Sequence, residues 1–295
     1  MKEITVKAYA KINLSLDVLG KLPNGYHEVK MIMQQIDLYD LVTVKCEELP
    51  EGAETVISGG TSRGDLPMDE TNIAYKAAKL MIDTYRPNKA FNIHITLEKR
   101  IPMAAGLAGG SADGAAVMRA LAKLWELDEA PEAIAALSGK IGSDIPFCYM
   151  GQEGQYCALA TGTGTDLTPV TPLDAWIVLS KPPVNVPTKD VYGNLKLDGV
   201  AHPDVDLMIR GLNTHNLSMV LDGMGNVLET STIPQYPVVG LTKKAMADLG
   251  LANAVMMSGS GPTVFGIFMN KKKAESAYLW MKQMHAETFA VRTLV

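Results

Sequence analysis

The chain has 295 residues, 47% hydrophobic and 20% charged, with a net charge of −5. That length suits about two domains with large cores, and an acidic balance without long charged blocks argues against a nucleic-acid-binding surface. Three cysteines with no CxxC pair (Cys46, Cys148, Cys157) and five scattered histidines fit neither a disulfide framework nor a zinc site, and no apolar run or leader marks a membrane protein, so a cytoplasmic protein is expected.

Residues 1 to about 60 read as strands and turns. In KAYAKINLSLDVL, the residues Ala8, Ala10, Ile12, Leu14, Leu16 and Val18 share one face, and Lys11, Asn13, Ser15 and Asp17 share the other. The bland reading of Lys11 and Asn13 is a solvated strand face. Pro23-Asn24-Gly25 is a turn signal, followed by Tyr26 and His27, which offer stacking area and hydrogen bonding or simply pack beside the turn. Thr71–Tyr85 carries Ile73, Ala77, Leu80 and Met81 at helical spacing, closed by Pro87. FNIHITLEK then alternates Phe91, Ile93, Ile95 and Leu97 with polar residues, the period of a half-buried strand.

PMAAGLAGGSADGAA, starting at Pro102, links that strand to an alanine-rich helix running to about Leu127. A glycine-rich turn at a helix N-terminus presents unpaired N–H groups suited to phosphate oxygens. Gly109-Gly110-Ser111 lacks the P-loop lysine, the glycine spacing misses the dinucleotide fingerprint, and the protein-kinase HRD and DFG motifs are missing. Any nucleotide triphosphate here therefore needs a different cradle. Pro131 introduces a short helix over 132–141. In Gly142-Ser143-Asp144-Ile145-Pro146-Phe147, Pro146 is expected to push Ile145 out of the helical region, leaving Asp144 at a backbone break or as an ordinary N-cap.

Turn-rich residues from Gly162 to Pro172 suggest a boundary between domains at 1–165 and 166–295. A strand is expected over 175–180, a helix over 241–249, strands over 254–257 and 264–268, a helix over 272–286 and a strand over 289–295. That alternation suggests an α+β layer with helices on one face of a largely antiparallel sheet. Ser258-Gly259-Ser260-Gly261-Pro262-Thr263 is either a plain turn or a backbone approach to another loop or an anion.

AKINLSL, PMAAGLAGGSADGAA and MSGSGPTVFG, in this order, resemble the three motifs of the GHMP kinases. AYAKINLSLDVLGKLPNGYHEV, MQQIDLYD, GSDIPF and SKPPVNVPTKDVY are similar to the branch that phosphorylates 4-diphosphocytidyl-2-C-methyl-D-erythritol in non-mevalonate isoprenoid synthesis. The resemblance implies a two-domain α+β GHMP kinase fold, an N-terminal ATP-binding domain and a C-terminal ferredoxin-like α/β sandwich. It implies ATP and Mg2+ as cofactors, a small-molecule substrate, no nucleic-acid or membrane partner, and a monomer or homodimer. A mevalonate or homoserine kinase, or a silent ligand sensor on the same fold, is the alternative.

Carried over residue by residue, the resemblance puts Asp144 on the catalytic aspartate and Lys11 on its lysine partner. Pro102, Met103, Ala104, Ala105, Gly106, Leu107, Ala108, Gly109, Gly110, Ser111 and Ala112 fall on the ATP-phosphate cradle, with Ser111 near magnesium. Asn72 and Lys99 fall beside the adenine pocket. Tyr26 and Tyr192 fall where the family sandwiches cytosine, His27 where it is hydrogen-bonded, and Asn13 and Thr188 along the substrate's polar portion. Ala112 stands where many relatives have a second serine, and Tyr192 where Phe is commoner.

Overall fold

A computed structural model describes residues 1–295. Two long strands, β1 (Lys2–Lys21) and β2 (His27–Glu48), open the chain, with β3 (Val56–Thr61), α1 (Ile73–Tyr85) and β4 (Phe91–Glu98) after them. Then come α2 (Gly109–Leu124), α3 (Pro131–Ser138), α4 (Ile145–Gly151), β5 (Cys157–Thr161), β6 (Asp166–Pro169) and β7 (Trp176–Lys181). Four short helices occupy the next stretch: α5 (Thr188–Gly193), α6 (Val205–Asn213), α7 (Leu217–Asp222) and α8 (Glu229–Gln235). The chain closes with α9 (Pro237–Asp248), β8 (Ala254–Met257), β9 (Val264–Phe268), α10 (Lys271–Met284) and β10 (Glu287–Arg292).

Six strands form one sheet in the order β3-β4-β2-β5-β6, with β1 paired to β2. Only the β3–β4 pair is parallel among those whose register is defined. The second sheet, β10-β7-β9-β8, is antiparallel throughout, and α9 and α10 pack on it. The turn at Gly162–Gly164 joins β5 to β6 inside the first sheet.

Contacts group the chain into two compact units, neither of them one continuous segment. The first comprises Met1–Ala10, Leu38–Ile101 and Ala108–Gln155; the second comprises Lys11–Asp37, Pro102–Leu107 and Tyr156–Val295. The first unit's core includes Val42, Val44, Ile93, Ile95 and Leu97 from its strands and Ala77, Met81, Val117 and Leu121 from α1 and α2. Fully burying one such aliphatic side chain contributes about 1.5–3 kcal/mol.

Periodicity located the elements well, and the structure corrects several readings. The alternation in β1 is real, yet its polar face is not solvated: Lys11, Asn13, Ser15 and Asp17 are all buried. Ile145 is helical, because Pro146 sits in the first turn of α4, where a missing N–H costs nothing and the fixed φ suits a helix. The helix expected to reach Leu127 ends at Leu124, and the one expected over 132–141 ends at Ser138. Helix α9 begins at Pro237, four residues before its expected start; β10 ends at Arg292.

Candidate active site

The central turn differs from an ordinary strand–helix connection in its backbone. Ala104 (φ 47°) and Ala108 (φ 58°) both occupy the left-handed region, which costs an L-residue about 1–2 kcal/mol each. Such strain persists where the surroundings over-determine it, commonly at functional sites. Ala108 is the N-cap of α2 and makes no side-chain cap hydrogen bond. The first N–H groups of this 16-residue helix, at Gly109, Gly110 and Ser111, therefore lack both an intrahelical acceptor and a side-chain cap. Ala104 and Gly110 are exposed. The turn is thus built to offer backbone donors at the positive end of a helix dipole.

In the second unit, the turn is tied to β1 and to the β8–β9 connection. The Lys11 N–H donates to the Leu107 carbonyl at 3.1 Å, and the Ser258 hydroxyl donates to the Gly106 carbonyl at 3.0 Å. Gly106 has φ +72°, and a Cβ there would stand 2.2 Å from the Ser258 carbonyl oxygen. The Ser258–Thr263 segment is therefore a hairpin connection that approaches another loop. Its Ser260 hydroxyl lies 2.9 Å from that of Thr188 at the start of α5.

The buried polar face of β1 belongs to the same unit. The Lys11 ammonium donates to the Asn13 side-chain oxygen at 2.8 Å, and the Asn13 amide donates to the Met31 sulfur at 3.2 Å. Farther along, His202 Nδ1 and Asp17 Oδ1 lie 2.6 Å apart. His27 and Tyr192 form an aromatic platform, with ring centroids 5.0 Å apart and planes tilted by 36°. Partial burial and then the nearby Lys21 charge push the His27 pKa down, favouring a neutral imidazole with one donor and one acceptor. Tyr26 is exposed, so the aromatic partner of Tyr192 here is the imidazole.

Asp144, in the first unit, is half-buried at the N-cap of α4, but its carboxylate makes no cap hydrogen bond to that helix. The N-cap reading therefore holds for position and fails for chemistry. Asn72 does cap its helix: its oxygen accepts from Ala74 N at 2.9 Å while its amide donates to Pro67 O at 2.8 Å. Its side chain holds the α1 terminus.

Lys99 requires a larger correction. Instead of facing an adenine pocket, its side chain is 3% exposed and its ammonium bonds two buried carboxylates, Asp40 on β2 and Asp113 on α2. The Lys99–Asp113 bond is 2.5 Å long, and the Asp113 Oδ1 atom has no partner. Burial pushes the Asp113 carboxyl up to about 7, opposed by the Lys99 charge and reinforced by Asp40. The Lys99 pKa is raised: desolvation opposes its charge, but two carboxylates outweigh it. Asp40 and Asp113 carried no expected role. The available signal was Asp113 itself, an acid inside the apolar run Ala112–Ala116, which demands a buried partner.

Residues 72–152 match the family described as GHMP kinases N terminal domain, and residues 201–286 match GHMP kinases C terminal. A protein of Geobacillus kaustophilus, named 4-diphosphocytidyl-2-C-methyl-D-erythritol kinase, is 46% identical over 99% of this chain and 97% of its own. A Bacillus cereus protein of the same name is 46% identical with the same coverage. Among solved structures, a 4-(cytidine 5'-diphospho)-2C-methyl-D-erythritol kinase superposes with a TM-score of 0.79 at 28% identity, covering 99% of this chain and 100% of that one. Homoserine kinase from Cytophaga hutchinsonii shares the fold alone, with a TM-score of 0.74 at 20% identity over 100% of this chain and 95% of that one. The chain belongs to the GHMP kinases, in the branch of the 4-diphosphocytidyl-2-C-methyl-D-erythritol kinases.

Proposed function

We propose that this chain transfers the γ-phosphate of ATP to the 2-hydroxyl of 4-diphosphocytidyl-2-C-methyl-D-erythritol. The observation that carries this reading is near-full-length similarity to kinases of that name, on a chain whose central turn presents uncapped helix N–H groups. Phosphoryl transfer asks chiefly for positioning and charge neutralisation. The cradle from Pro102 to Ala112 would hold phosphate oxygens on backbone donors.

Lys11 supplies a buried positive charge beside the developing negative charge, and Asn13 orients its ammonium. Asp144 accepts the proton of the acceptor alcohol or orients its oxygen. Tyr192 and Tyr26 stack on the two faces of the cytosine, while the imidazole of His27, which packs against Tyr192, hydrogen-bonds the base edge. Thr188, paired with Ser260, lines the remainder of the substrate.

No group of three His, Cys, Asp or Glu could hold a metal alone. The residues fit an Mg2+ carried in by the triphosphate, which keeps waters and takes few protein ligands, with the Ser111 hydroxyl as the contribution of the turn. Bound there, the ion would supply charge to neutralise the phosphate oxygens. Three unbridged, buried cysteines fit a reducing compartment, so we place the enzyme in the cytoplasm. No helix is long and apolar enough to cross a membrane.

An ADP-release assay with ATP and magnesium, run in parallel on the diphosphocytidyl substrate, mevalonate and homoserine, tests this reading. Release is expected with the first alone, inhibited competitively by CMP-containing compounds. Turnover on mevalonate or homoserine, indifferent to such compounds, would replace it.

A further inference from the structure

The buried ion cluster has a place in the chain that stability alone does not explain. Segment Pro102–Leu107 leaves the first unit after Ile101 and re-enters it at Ala108, so Ile101 and Ala108–Gly109 are its two stems. The Asp40 carboxylate accepts the N–H groups of Arg100 and of Ile101, the latter at 2.8 Å, which fixes the first stem. Asp113 lies in α2, just past its first turn, and fixes the second. Lys99 joins the two carboxylates.

The packing leaves this cluster no slack. A Cβ on Gly109 would stand 3.0 Å from the Ile101 side chain and 3.6 Å from the Lys99 ammonium, so the stems and the ammonium are in near contact. Exchanging a buried ionic cluster for apolar residues of similar volume is often neutral or stabilising. A cluster kept at the base of one particular turn is better explained by the geometry it imposes.

We propose that Asp40, Lys99 and Asp113 are positioning residues for the phosphate donor: a buried strut that fixes the spacing of the two stems and so holds the uncapped N–H groups of Gly109, Gly110 and Ser111 in place for phosphate oxygens. The inference rests on the reading of Pro102–Ala112 as the phosphate cradle. None of the three side chains touches the ligand. They act through the backbone, where a misplacement of about 1 Å is enough to cost about a hundredfold in rate.

Two variants of the full chain test the strut. Asp113→Asn keeps the shape and weakens the link to Lys99. The uncharged triple variant Asp40→Asn/Lys99→Met/Asp113→Leu removes the charges, while the Asn oxygen can still accept the Arg100 and Ile101 N–H groups. In both, KM for ATP is expected to rise by about tenfold or more and kcat to fall, with KM for the acceptor alcohol held within about twofold. The triple variant is expected to melt no lower than the wild type.

A purely structural cluster predicts the opposite split, with melting temperature lowered and KM for ATP unchanged in the folded fraction. That result overturns the proposal, as does failure of both variants to fold, which would make the cluster a requirement of the fold. Wild-type protein that binds no ATP in calorimetry would overturn the cradle reading and the strut together. Equal ATP affinity in wild type and folded variants would overturn the strut alone.

Discussion

Lys99 and Lys11 are both almost wholly buried, and the difference between them separates scaffold from chemistry. Lys99 is held by two carboxylates from separate elements, Asp40 on β2 and Asp113 on α2, and its three-way bond is internal to the first unit. Lys11 lies on the part of β1 that belongs to the second unit, its ammonium donating to the amide oxygen of Asn13, two residues away. An ammonium shared by two carboxylates has its charge neutralised within the protein. Lys11 is tied instead to the central turn, its backbone N–H donating to the Leu107 carbonyl. Lysines beside motif residues are therefore distinguished by their partners and not by their distance from a glycine loop.

The contrast is broken most severely at Lys99. Lys99→Met alone leaves two facing carboxylates buried without their cation, and a destabilisation of about 3–5 kcal/mol is expected from urea denaturation. Lys11→Met is expected to lose about a hundredfold or more in kcat, the scale of a lost transition-state charge contact. If the two variants behaved alike in both assays, the division between scaffold and chemistry would be wrong.

A smaller effect belongs to the aromatic platform. Tyr192→Ala removes a stacking face and is expected to raise KM for the cytidine-bearing substrate by about tenfold, corresponding to about 1–3 kcal/mol per stacked base, with kcat little changed. Tyr26→Ala should do less, because that ring is exposed and makes no ring contact with the platform. An unaltered KM in both would remove the cytosine pocket from this part of the molecule.

The finest effect is one of pH. Asp113 has a folded pKa of about 7 against an ordinary 3.8, so the folded chain keeps a proton that the unfolded chain releases. Stability from this group is present at acid pH and is lost as pH rises from about 4 to about 7. Lys99 and Asp40 are the charged groups that face it. Urea midpoints measured at pH 5 and pH 8 should differ less in Asp113→Asn than in the wild type. An unchanged difference would show that Asp113 titrates normally.

What was legible in the sequence was local. Strands β8 and β9 lie where their apolar runs put them, and β4 follows its period-two pattern, because burial of one face writes itself into neighbouring positions. Helices α5, α7 and α8 span only six or seven residues, too few for a 3.6-residue period to show, and α8 also contains Pro234. The motif segments carrying Asp144, Lys11 and the central turn were legible by resemblance.

Long-range burial was not. Nothing near Lys11, Asn13, Ser15 or Asp17 in the sequence records that all four are buried. Lys99 beside a glycine loop reads as a ligand contact until Asp40, 59 residues away, and Asp113, 14 residues away, are seen on its ammonium. Pro146 illustrates a further ambiguity: one residue both excludes its predecessor from a helix interior and favours a helix start, and only the structure shows which rule governs.

The most direct test of the account is ADP release by Asp144→Ala beside the wild type, with ATP, magnesium and 4-diphosphocytidyl-2-C-methyl-D-erythritol. The variant is expected to keep the melting temperature of the wild type and to lose turnover by about 10²–10⁴-fold, the scale of a positioned general base. Acceptor-dependent turnover at the wild-type rate in a folded Asp144→Ala protein would contradict it.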